Sequence, residues 1–250
     1  MPLVSQQHTQ EYRESGYCLI PGLIPRDKIE AARQRITEVA ADPEVWPATH
    51  FQLFDPGRYT STAGKPLPGG VQRPASRESV FAGIAEHPRL VEAMGALLGG
   101  EVEPFADQIG LKHGVISEEQ GACSYFHQDS FYWKIDPERG CNCWIPLTDV
   151  GPEASALAVM PGSQSGWQLI DHESYYDDPP LGSMGASGFE PFKRHRVPQQ
   201  QVDHSREVLV ATEPGDGLFF TNYTWHRSEP NRSGETQAFY AIAYQLKEAG

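Results

Sequence analysis

Apolar residues along this chain mark helices first and strands afterwards. Ile29, Ile36 and Val39, with alanines between them and Pro25 and Pro43 outside, predict an amphipathic helix over residues 26–41. Residues 88–98 read the same way: Pro88 opens the segment, Leu90, Val91, Met94, Leu97 and Leu98 form its apolar stripe, and Gly99-Gly100 stops it. From residue 104 onward, β-branched and aromatic residues between turn signals predict strands near 104–112, 122–129, 141–148, 156–160, 207–212, 217–224 and 236–246. The last of these is apolar on both faces, as a strand buried between two layers is. Two helices ahead of seven strands imply a mainly β fold, with the helices packed on one face of its larger sheet.

Two stretches break the pattern. Residues 49–79 carry Pro56, Gly57, Gly64, Pro66, Pro68, Gly69, Gly70 and Pro74, which exclude long regular elements and predict a surface loop. Residues 163–205 are equally irregular and include the basic cluster Lys193, Arg194, His195 and Arg196. Long irregular stretches inside a compact domain serve as lids or as linkers. The histidines there, His172, His195 and His204, read as solvated loop residues.

Composition narrows the class. The 250 residues suffice for a single domain spanning 1–250, and 24 Gly and 21 Pro agree with a turn-rich β fold. A formal net charge of −13 repels a phosphate backbone, so nucleic acid is not an expected partner. The first residues, Met1–His8, lack a basic segment followed by an apolar one, and no apolar run is long enough for a bilayer, so no membrane association and a cytoplasmic location are expected. Cys18, Cys123, Cys141 and Cys143 contain no Cys-x-x-Cys pair and are expected as reduced thiols.

The candidate chemistry lies in His127-Gln128-Asp129 and in His226, 97 residues beyond Asp129. In an extended strand His127 and Asp129 face one side and Gln128 the other. His226 then has to arrive on a distant strand folded back beside the first. Two histidines and one carboxylate can take one face of an octahedral Fe(II) and leave three positions for a chelating cosubstrate and dioxygen. A His-x-Asp alone is a weak motif.

Its surroundings are more specific. His127-Gln128-Asp129-Ser130-Phe131-Tyr132-Trp133, Cys143–Val150, Ala158–Gln164, Gly215-Asp216-Gly217 and His226–Ser233 together closely resemble the phytanoyl-CoA dioxygenase family, over about residues 10–246. The resemblance implies a double-stranded β-helix (jelly-roll, cupin-like) barrel, an Fe(II), 2-oxoglutarate and dioxygen requirement, and oxidation of a small molecule. It also implies that Gln108, Lys112, Trp144 and Ser228 line the cosubstrate pocket, although Trp144 could be plain core and Lys112 a surface residue with a buried stem. The carboxylate of Asp129 favours hydroxylation or a related oxidation over halogenation, since related halogenases lack it. The chain departs from the family pattern at residue 237. An arginine eleven residues after the distal histidine normally clamps the outer carboxylate of 2-oxoglutarate, and this chain has Gln237. Another cation (Arg232, Arg73 or Lys112) could reach that carboxylate, Gln237 and Ser228 could hold it through neutral bonds, or the cosubstrate could differ. The departure keeps open an iron oxygenase independent of 2-oxoglutarate and a non-catalytic metal- or ligand-binding barrel.

Overall fold

The strand Gln237–Leu246, apolar on both faces, lies inside the larger of two main β-sheets. The computed structural model describes residues 2–41, 52–54, 59–60, 66–67, 69–114, 124–150, 156–174 and 195–248. In chain order the first half comprises α1 (Gln6–Ser15), β1 (Tyr17–Ile20), α2 (Arg26–Ala41), β2 (Gln52–Phe54), β3 (Tyr59–Thr60), β4 (Pro66–Leu67), β5 (Gly70–Gln72), α3 (Ser79–Ala85), α4 (Pro88–Leu98) and β6 (Val102–Lys112). The second half comprises β7 (Ser124–His127), α5 (Ser130–Trp133), β8 (Gly140–Pro146), β9 (Leu157–Val159), β10 (Glu173–Ser174), β11 (His195–Arg196), β12 (Val208–Val210), β13 (Gly217–Thr221), β14 (His226–Ser228) and β15 (Gln237–Leu246).

The major sheet runs β1-β13-β8-β15-β6-β5-β2 and the minor sheet β12-β9-β14-β7, all antiparallel. Strand alternation sorts the side chains of β15 into two cores. Ala238, Tyr240, Ile242 and Tyr244 face the helices, where they join Ile109, Leu111, Cys141, Cys143 and Ile145 with Phe81, Ile84, Leu90 and Met94. Phe239 and Ala241 face the other way and pack with Trp144, Leu218 and Phe220 against Leu157, Val159 and Val210 of the minor sheet. Two facing sheets with a shared apolar interior form the jelly roll that the sequence implies. Each fully buried Phe or Leu contributes roughly 1.5–3 kcal/mol, so the two cores supply the main driving force for this arrangement.

Both predicted helices are present, as α2 and α4. The helix α1 escapes a search for apolar periodicity because Tyr12 is its one buried residue. Its ends are fixed locally instead. Ser5 accepts from the His8 amide while the His8 side chain accepts from the Ser5 amide, and Gly16 closes the helix at φ +84°. Residues 49–79 are not loop throughout: β2 and β5 extend the major sheet beyond β6. Cys18, Cys141 and Cys143 are free buried thiols, and burial pushes the Cys141 thiol up to about 12. Cys123, Lys193 and Arg194 lie outside the described residues. Among the described residues no helix is long and apolar enough to cross a membrane.

Candidate active site

The pairing of β14 with β7 sets His226 directly opposite His127, with ring centroids 4.2 Å apart. Asp129 completes the group, but not from the strand. The expected extended run over 122–129 ends at His127, and Asp129 has helical backbone angles (φ −63°, ψ −32°) at the start of α5. A turn rather than strand alternation therefore brings its carboxylate back to the histidines. Asp129 Oδ1 lies 3.7 Å from His127 Nε2 and 3.6 Å from His226 Nε2. One ligand atom from each residue falls within 4.8 Å of the others, and no other described group of His, Cys, Asp or Glu has this geometry.

The remaining polar atoms of the three residues are already engaged. His127 Nδ1 donates to the Tyr125 carbonyl at 2.9 Å, and His226 Nδ1 donates to the Thr224 carbonyl at 3.0 Å. A carbonyl only accepts, so Nδ1 carries a proton in both rings, and in the neutral tautomer each Nε2 presents its lone pair to the common centre. Asn142 Nδ2 donates to Asp129 Oδ2 at 2.7 Å and leaves Oδ1 facing the histidines. These contacts are the outer partners that orient metal ligands, and the donor set suits a divalent iron.

The other sequence-derived residues are divided between the interior and the surface. Trp144 stands on the inward face of β8 with its indole N–H buried and unpartnered, and its ring packs on Phe239 at 5.4 Å. Ser228 is buried on β14, with its hydroxyl 2.9 Å from that of Ser124. Gln108 accepts from Gln72 Nε2 at 3.1 Å. Gln237 Oε1 accepts from the Thr148 hydroxyl at 2.5 Å, and its Nε2 donates to Ser233 Oγ at 3.2 Å. Directly across from Gln237 in the β15–β6 register stands Lys112, a buried ammonium whose Nζ donates to the Glu229 carbonyl at 2.8 Å. Glu229 follows Ser228, so this cation sits beside the strand of the distal histidine. Arg232 and Arg73 are both exposed.

Three residues of the site are absent from the sequence reading as functional candidates: Asn142, Gln128 and His172. Asn142 carried a usable signal, as a polar side chain in an otherwise apolar strand, two positions from Trp144 and on the same face. Gln128 does face away from the ligands, as alternation predicts, but it is fully buried and its side chain makes three hydrogen bonds. His172 is half-buried rather than solvated, and burial lowers its pKa below 6.5.

The jelly roll and this group of two histidines and a carboxylate are shared with the Fe(II)- and 2-oxoglutarate-dependent dioxygenases, and the chain's family and relatives place it among the oxidoreductases of that class. Residues 12–238 match the model for phytanoyl-CoA dioxygenase (PhyH), and the chain belongs to that family. It is 25% identical to the ectoine dioxygenase of Stutzerimonas stutzeri, over 95% of this chain and 76% of that one. It is 22% identical to the methylphosphonate hydroxylase of Gimesia maris, over 99% of this chain and 83% of that one. Among solved structures, the epimerase SnoN in complex with Fe3+, alpha ketoglutarate and nogalamycin RO superposes with a TM-score of 0.67 at 19% identity, covering 96% of this chain and 83% of that chain. EctD from S. alaskensis with 2-oxoglutarate and 5-hydroxyectoine gives 0.70 at 17% identity, covering 97% and 76%.

Proposed function

We propose that this protein hydroxylates a small molecule, with His127, Asp129 and His226 holding the iron and 2-oxoglutarate as cosubstrate. The observation that carries the reading is the ligand group itself: three converging donor atoms whose other polar atoms are all tied to fixed partners. When bound, iron and 2-oxoglutarate supply the oxidising power, as dioxygen is split between succinate and the substrate with loss of carbon dioxide. The chain's own part is to bind, orient and keep water out. Trp144, Leu218 and Phe220 wall the interior with apolar surface, and the Phe220 ring lies 4.5 Å from that of His226.

We infer that charge placement compensates for the departure at residue 237. Lys112, opposite Gln237, is a buried side chain placed to meet a dicarboxylate at that end of the site, with Ser228 and the Trp144 indole as further donors. Arg232 and Arg73, both exposed, are the weaker candidates. We assign the chain a single domain over 1–250 in which the stretches 49–79 and 163–205, both partly outside the described residues, cover the active site. Relatives named for ectoine and methylphosphonate chemistry support a compact small-molecule substrate.

Anaerobic titration tests the reading. Fe(II)-loaded protein should develop a visible metal-to-ligand charge-transfer band on addition of 2-oxoglutarate and release succinate once oxygen is admitted. Bound iron without that band would overturn the reading.

A further inference from the structure

Gln128 lies between two of the proposed iron ligands, and its hydrogen bonds lead away from the metal. Its side-chain Nε2 donates to the carbonyls of Gln168 and Tyr223, each at 2.9 Å, and its Oε1 accepts from the Ile170 amide at 2.8 Å. Its backbone N–H donates to His172 Nε2 at 3.0 Å. One residue thus joins the His127–Asp129 turn, the crossing segment 168–172 and the turn that precedes His226. A second tie runs beside it, from the Ser130 amide to the Asn222 carbonyl at 2.9 Å.

His172 is held from both sides. Its Nδ1 donates to the Ile170 carbonyl at 2.7 Å, which fixes the proton there and leaves Nε2 as an acceptor. Its ring stacks on Phe131 of α5, with centroids 4.3 Å apart at 24°. His195 packs on the same Phe131 ring at 5.0 Å, and its backbone N–H and carbonyl both meet the Tyr132 hydroxyl.

We propose that His172 and Gln128 form a positioning clamp through which the 168–172 segment sets the geometry of the proximal metal ligands, and that the clamp requires His172 to be neutral. A protonated ring would carry a hydrogen on each nitrogen, and Nε2 could no longer accept from the Gln128 amide. The titratable groups around it are Asp171, its neighbour in sequence, and His195, which packs on the same Phe131 ring. The clamp rests on the proposed metal site for what it positions, whereas its hydrogen bonds stand independently of it.

The test compares three metal-free proteins titrated with Co(II): the parent, His172→Phe and His172→Gln. Phenylalanine keeps the stack on Phe131 and removes the acceptor. Glutamine places an amide oxygen near the Nε2 position and does not titrate. We expect His172→Phe to bind Co(II) about 10-fold more weakly, the scale of losing an outer ligand partner, and His172→Gln to recover most of that loss. The affinity of the parent should also fall more steeply than that of His172→Gln as pH drops below about 6.5, because the metal ligands titrate alike in both. Equal affinity in parent and His172→Phe, no recovery in His172→Gln, or superimposable pH profiles would each overturn the clamp. If the parent bound no Co(II), the metal reading would fail and amide exchange would decide the clamp. Exchange at Gln128 should then be about fivefold faster in His172→Phe, the scale of one hydrogen bond, and an unchanged rate would overturn it.

Discussion

Asn142 reaches from the major sheet to the ligand turn, and its Nδ2 donates to Asp129 Oδ2 at 2.7 Å in a buried setting. The bond occupies one carboxylate oxygen and so biases Asp129 toward a metal through the other. A carboxylate free to bind through both oxygens would take up a position that the cosubstrate or dioxygen needs.

Asn142→Ala should therefore weaken Fe(II) affinity by about 10-fold or more. Isothermal titration under anaerobic conditions reads this directly. Unchanged affinity would mean that Asp129 is held by other contacts.

His127→Ala, Asp129→Ala and His226→Ala should each abolish 2-oxoglutarate turnover, measured as succinate release, while the metal-free melting temperature stays within a few degrees. The ligands set an open coordination geometry, whereas the two apolar cores support the fold. Full activity in Asp129→Ala would sink the triad.

Lys112→Met should weaken 2-oxoglutarate binding by at least about 10-fold, since a charge-assisted bond contributes roughly 1.5–3 kcal/mol. Gln237→Arg should also weaken it, because the new guanidinium would face the resident ammonium of Lys112. The double variant should then recover. Tighter binding in Gln237→Arg alone would show that neutral groups hold the outer carboxylate in the parent.

Arg227 pairs with both Glu207, at 2.6 Å, and Glu229, at 2.6 Å. The hydrogen bond from Arg227 holds the Glu207 carboxyl below its usual value of 4.5. A carboxylate with a depressed folded-state pKa stabilises the fold fully above the unfolded value, and the contribution is lost as pH falls through the folded one. Melting curves of the metal-free protein should therefore lose stability below about pH 4.5, and Glu207→Gln should lose less over the same range.

Gly110 stands opposite Phe239, whose ring would lie 2.1 Å from any added Cβ. Gly110→Ala should cost roughly 1–3 kcal/mol through displacement of that ring from its packing on Trp144. Chemical denaturation of the metal-free protein measures it.

Much of this architecture is legible in the sequence because it rests on burial. The stripes of α2 and α4 and the two-sided apolar run of β15 report packing that any correct fold has to satisfy. The convergence of His127, Asp129 and His226 was legible because their residue types are chemically narrow. Asp129 shows the limit: strand alternation placed it beside His127, whereas a helical turn does so in the structure. The clamp was not legible, because the roles of Gln128 and His172 depend on a crossing segment with no periodic pattern. The extent of α1 is set by hydrogen bonds at its two ends, and β5 becomes a strand by pairing with β6 and β2.

The carbonyl of Gly16 accepts from the Thr221 amide and from the Thr224 hydroxyl, the latter 208 residues away in the chain. Among the described residues, strand β1 likewise pairs only with β13. Contacts of such long sequence separation carry the entropy cost of closing most of the chain and slow folding. On the ribosome, residues 17–20 must wait, unpaired and apolar, until residues 217–224 have been made. The turn that this late closure locks is the one that presents His226, so metal competence should be among the last properties a nascent chain acquires.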